Sequence, residues 1–100
     1  MLRGTTPSVT MTLPSGTSLS GASAAFMTFG QNGKEVFSVV QSSLTVSSNT
    51  VSCTLTQAQT LMLEHGKDTE IQLRWKNNGV AYGTNIVRVS TDMILKDGEI

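Results

Sequence analysis

Charge is what this sequence most lacks. Only 14% of its 100 residues are Asp, Glu, Lys or Arg, against roughly 25% in an ordinary soluble domain, while about a quarter are Ser or Thr. The surface is therefore expected to be hydroxylated rather than ionic. Seven basic and seven acidic residues cancel, so no long-range field steers the chain toward nucleic acid or anionic lipid. The same balance leaves little self-repulsion, which favours association. Cys53 is the only cysteine, so no internal disulfide can staple the fold and packing must hold it. Residues 1–7 lack the apolar centre of a secretory signal, and no later apolar run nears the roughly 20 residues that span a bilayer. No Asn begins an Asn-x-Ser/Thr sequon, so glycosylation gives no hint of secretion. The expectation is a chain kept in the cytoplasm until it is assembled or released.

What is present reads as strand, in one domain covering residues 1–100 with a partly extended tail at 91–100. Short extended segments separated by turn chemistry predict an all-β sandwich of about seven strands. Val9, Met11 and Leu13 alternate with Thr10 and Thr12, and Pro14-Ser15-Gly16 stops the run, with 17–21 read as loop. A mostly apolar strand over 22–29 turns at Asn32-Gly33, a strong hairpin signal, into a strand over 35–41. A brief strand over 44–46 precedes one over 50–55, whose inward row is Val51, Cys53 and Leu55. Thr56 followed by Gln59 has the form of a capping box. It predicts one helix from Gln57 to about Glu64, ended by Gly66 and sealing the core with Leu61 and Leu63 or Met62.

The stretch from Asp68 to Val89 predicts a hairpin in two alternative registers. Ile71, Leu73 and Trp75 alternate with Glu70, Gln72, Arg74 and Lys76, so one row enters the core and the other faces water. A two-residue Asn78-Gly79 loop would put Tyr82, Ile86 and Arg88 on the Trp75 face. That buries an arginine. A three-residue loop, Asn77 to Gly79, puts Val87 and Val89 on that face, sets Asp68 opposite Arg88 and Arg74 opposite Tyr82, and leaves Ile86 exposed. The second register is preferred. It makes Arg74, Lys76, Tyr82 and Ile86 a candidate interaction surface, joined by the apolar tail residues Ile94 and Leu95. The Met93-Ile94-Leu95 cluster is too apolar for a simple solvated tail: it either covers the end of its own sandwich or docks on a neighbour.

No catalytic constellation is visible. Cysteine catalysis needs an exposed thiolate beside a base, yet Cys53 reads as a small buried hydrophobe. His65, at the end of the helix, reads as a partner of the last carbonyls at the negative pole. No Gly-x-Ser-x-Gly elbow is present to serve a serine triad, and no phosphate-cradling glycine loop occurs. Asp92, Asp97 and Glu99 lack the spacing of a calcium cage and read as a solvated acidic tail. No cofactor or metal is expected. Trp75 and Tyr82 could stack on a sugar or a base, although the alternation reads Trp75 as core.

Leu2-Arg3-Gly4-Thr5-Thr6-Pro7 with Val9-Thr10-Met11-Thr12-Leu13, and Ile94-Leu95-Lys96-Asp97-Gly98-Glu99-Ile100, resemble the ends of small proteins encoded in prophages of Gram-positive bacteria. Between them, Phe26-Met27-Thr28-Phe29-Gly30-Gln31-Asn32-Gly33-Lys34, Leu55-Thr56-Gln57, Gly66-Lys67 and Glu70-Ile71-Gln72-Leu73-Arg74 follow the same order. These proteins look like the β-sandwich amino-terminal domain of siphophage baseplate upper proteins. The resemblance implies a noncatalytic tail or baseplate part that docks on other phage structural proteins or on its own copies. It supplies no active-site residue. Larger members carry a coiled-coil or receptor-binding extension that this sequence does not show, so no host-recognition role is carried over. An immunoglobulin-like sandwich fits about seven strands with a helix between the fifth and sixth. That topology separates the second and third strands into different sheets, whereas a tight Asn32-Gly33 turn pairs them in one; a related sandwich with altered connectivity is the alternative. The competing function class is a small carbohydrate-binding or adhesion module built on Tyr82 and Trp75.

Overall fold

The structure is a computed structural model describing every residue except Ser18 and Ser20; the expected loop at these two positions lies outside the described residues. Two antiparallel sheets form an all-β sandwich. Strands β1 (Ser8–Thr12), β5 (Thr50–Thr54) and β4 (Thr45–Ser47) make the smaller sheet, in the order β1-β5-β4. The larger sheet runs β3 (Lys34–Val40), β2 (Ala24–Gln31), β6 (Thr69–Asn77), with β7 (Val80–Gly83) and β8 (Val87–Val89) sharing the far side of β6. A helix, α1 (Gln57–Leu61), lies between β5 and β6. The second and third strands pair directly, so the connectivity follows the Asn32-Gly33 hairpin and not the immunoglobulin order. Asn32 and Gly33 both adopt positive φ, 54° and 73°, as a two-residue hairpin turn matched to strand twist requires.

Alternation fills the space between the sheets. On the larger sheet Ala25 lies opposite Trp75, Met27 lies between Val39 and Leu73, and Phe29 lies between Phe37 and Ile71. From the smaller sheet come Val51 and Cys53, extended by Leu13 and Leu55, with Val9 and Met11 packed at the margin. The Phe29 and Phe37 rings stack 4.8 Å apart. Each fully buried large side chain, such as Phe29, Met27 or Leu73, contributes about 1.5–3 kcal/mol relative to exposure. Val36 is the extra residue of a bulge, because Phe29 faces Phe37 while Gly30 already faces Glu35. The bulge presses the Lys34 carbonyl onto Gly30.

The capping box forms in both halves: Gln59 N–H donates to Thr56 Oγ1 (3.1 Å) and Thr56 N–H donates to Gln59 Oε1 (2.9 Å). The helix ends at Leu61, earlier than the expected Glu64, because Met62 and Leu63 tighten onto the carbonyls of Gln59 and Thr60. Leu63 is buried, Leu61 half-buried and Met62 exposed, so Leu63 does most of the sealing. Gly66, at φ 79°, serves the turn beyond the helix and is not its immediate stop. His65 is exposed in that turn. Arg3, from the amino-terminal segment, donates to the carbonyls of Leu63 (2.5 Å) and Leu61 (3.0 Å), the role expected of His65.

Arg3 also meets Asp97 at 3.5 Å, and a parallel bridge joins Leu2 to Asp92. The amide of Gln57 exchanges two hydrogen bonds with the backbone of Ile100. The tail is therefore laid against the helix and the amino-terminal segment. Ile94 packs half-buried there, its Cδ1 against Gly4, while Leu95 remains 97% exposed. Asp92 and Asp97, expected to be a purely solvated acidic tail, are exposed but paired with the terminal amine and Arg3 respectively.

Candidate functional site

The hairpin of β6 and its second arm changes register partway: the two-residue Asn78-Gly79 register holds near the turn, and the outer part takes a third register that differs from both expected ones. Near the turn Asn77 pairs with Val80 and Trp75 with Tyr82 across a two-residue Asn78-Gly79 loop, at φ 51° and 77°. Farther out Ile71 pairs with Val87, Glu70 with Arg88 and Thr69 with Val89. Three steps along β6, from Arg74 to Ile71, thus oppose four on the returning arm, from Gly83 to Val87. The extra residue splits the arm into β7 and β8 and returns Val87 and Val89 to the Ile71 face. Thr84 repairs the ladder: its N–H donates to the Leu73 carbonyl (2.9 Å), its hydroxyl accepts from the Leu73 N–H (3.1 Å), and its carbonyl accepts from the Gln72 amide (2.9 Å).

This geometry corrects the preferred three-residue register. Tyr82 lies opposite Trp75, on the face away from Arg74 and Lys76, and Arg88 pairs with Glu70 (3.3 Å) where Asp68 was expected. Of the two valines, Val89 packs against the core and Val87 stays exposed. Trp75 is core, 8% exposed, and Tyr82, 47% exposed, stacks on it with centroids 5.4 Å apart and planes 17° from parallel.

An open groove of about 850 Å³ adjoins this pair. One wall is β1 with the chain after it, from Met11, Thr12 and Leu13 to Thr17; the other is Trp75, Tyr82, Thr84, Asn85 and Val87. Among the described residues β1 and β7 are each paired on one side only, so the groove lies between two strand edges. No Asp, Glu, Lys, Arg or His is among the described residues that line it.

The six residues expected to form an interaction surface fall in three places. Arg74 and Lys76 are exposed on the outer face of β6, and Ile86 borders a shallow depression with Thr28, Glu70 and Gln72. Tyr82 belongs to the groove, and Ile94 and Leu95 to the tail. Sequence reasoning missed Thr84 and Asn85, although two half-satisfactory registers were the signal of an inserted residue. It also missed Arg3, whose partners are 58 and 60 positions away.

Cys53 is buried, with Sγ 3.7 Å from Met27 Sδ, and burial pushes its thiol above the ordinary value. His65 is exposed in the turn at 64–66. A buried thiol of raised pKa is a poor nucleophile. Among the described residues no cluster of three or more His, Cys, Asp or Glu is placed to hold a metal ion, and no helix is long and apolar enough to cross a membrane. No family model, curated protein or solved structure matches the chain.

Proposed function

We propose that the chain is a noncatalytic structural or assembly protein of a phage tail or baseplate, made in the bacterial cytoplasm and carried from there into the virion. It works by docking on other phage structural proteins, with association of its own copies as a second mode. The phage assignment rests on the sequence resemblance at both ends and through the middle of the chain. The observation that carries docking is the apolar side-chain set presented by the assembled termini: Met62, Met93, Leu95 and Ile100 are each more than half exposed, on segments tied down by Arg3 and Gln57. Ordered apolar groups in water favour a partner that covers them. The equal numbers of acidic and basic residues argue for protein partners over nucleic acid or membrane surfaces.

Light scattering with chemical cross-linking, and mass spectrometry of purified particles from a lysogen carrying the gene, test the proposal. The expected result is the protein in particles, cross-linked through residues 93–100, with Leu95→Asp and Ile100→Asp reducing incorporation while the fold persists. A strict monomer at high concentration that is absent from particles overturns it.

A further inference from the structure

We propose that the groove between β1 and β7 is a saccharide site that takes a neutral oligosaccharide with one sugar ring stacked on Tyr82. The inference does not rest on the docking proposal. Tyr82 is held by Trp75 on one ring face and still lines the groove, about half exposed, so its other face is the one open to a ligand. Trp75, being core, acts as the backing of this platform and is not the platform itself. A ring fixed in this way loses little conformational freedom on binding. A pyranose offers an apolar C–H face to an aromatic ring and hydroxyls around its rim.

The rim chemistry of the groove matches. Asn78 and Asn85 bring side-chain amides, each with donor and acceptor on adjacent atoms, and Thr12 and Thr17 bring hydroxyls. A vicinal diol needs such paired donors and acceptors. The absence of charged side chains among the described lining residues favours a neutral ligand over a uronic acid, a phosphate or an amine. The volume, about 850 Å³, lies within the range of small-molecule sites. An extended peptide between the two strand edges is the rival occupant. It would draw on backbone edges and leave the amide-rich rim unexplained.

Trp75 is the only tryptophan, so its emission reports on the groove. The test titrates the full chain with maltotriose, cellotriose, mannotriose and N-acetylchitotriose, following this emission and the side-chain amide NMR signals of Asn78 and Asn85. Concentrations reach roughly 10 mM, enough to fill a millimolar site. At least one sugar is expected to give a saturable change, weakened about tenfold or more by Tyr82→Ala, severalfold by Asn85→Ala, and little by Tyr82→Phe. Asn85→Ala, an exposed substitution, keeps the test valid if Tyr82→Ala fails to fold. No saturable response to any of the four sugars overturns the proposal. So does a response that both alanine variants leave intact, or one elicited only by an alternating Thr-Val octapeptide.

Discussion

Thr84 holds both backbone polar groups of Leu73: its N–H donates to the Leu73 carbonyl at 2.9 Å and its hydroxyl accepts from the Leu73 N–H at 3.1 Å. A side-chain oxygen thus stands where a strand carbonyl would, at the point where the returning arm carries its extra residue. Thr84→Val keeps the shape and removes the acceptor, leaving a part-buried N–H unpaired. The expected loss is about 1–2 kcal/mol, measured by urea unfolding. Thr84→Ser keeps the hydroxyl and should stay within about 0.5 kcal/mol of the parent. Equal effects of the two would remove the hydroxyl from this role.

That contact also marks where sequence reasoning stopped. The strand rows, the Asn32-Gly33 hairpin, the core assignment of Trp75 and the Thr56-Gln59 capping box follow from local periodicity and turn chemistry. These are present in any short window of the chain. The hairpin register is not, because alternation assumes one residue opposite one and cannot show an insertion. The Asn78-Gly79 turn indicates the two-residue register, which holds near the turn, whereas Val87 and Val89 indicate the Ile71 face but not the pairing, because Arg88 lies opposite Glu70 and not Asp68. Arg3 was illegible for a different reason. Its partners at Leu61 and Leu63 become neighbours only when the amino-terminal segment is laid across the helix end. The groove shares this difficulty, since β1 and β7 belong to different sheets and come to line one groove only when the sheets pack.

Gly30 is required by space, and Gly33 by backbone conformation. A Cβ on Gly30 would lie 2.5 Å from the Lys34 carbonyl oxygen, a backbone atom held by the bulge. Gly30→Ala should therefore destabilise by about 1–3 kcal/mol. A Cβ on Gly33 meets nothing within 4 Å, but φ is +73°, so Gly33→Ala carries only the left-handed penalty of about 1–2 kcal/mol. Hydrogen exchange separates the mechanisms. Gly30→Ala should also raise exchange at Glu35 and Val36, where the bulge must open, while Gly33→Ala acts on the turn.

Burial raises the Cys53 thiol pKa above its ordinary value of 9.0. The folded state therefore holds the thiol proton more tightly than the unfolded chain does. Its contribution to stability is fully present below the unfolded pKa and is lost as pH rises through the folded value. The parent should lose stability on the alkaline side more steeply than Cys53→Ala, although the variant starts lower by the cost of a small cavity. Thiol labelling at neutral pH should follow global unfolding in urea. Rapid labelling of the folded chain would show Cys53 to be accessible.

Arg3 ties three segments together: it donates to Leu61 and Leu63 at the end of the helix and pairs with Asp97 of the tail. The carbonyl bonds are part-buried and charge-assisted, whereas the Asp97 carboxylate is largely exposed and its pairing adds little. Arg3→Met keeps most of the apolar stem and removes the donors, with an expected loss of about 1.5–3 kcal/mol. Asp97→Asn should cost less than about 1 kcal/mol. If Arg3 orders the terminal assembly, Arg3→Met should also speed hydrogen exchange at Asp92, whose N–H donates to the Met1 carbonyl at 2.8 Å, more than at Leu73 in the core. Uniform acceleration at both amides would instead make Arg3 a general contributor to stability, with no particular hold on the tail that carries Leu95 and Ile100.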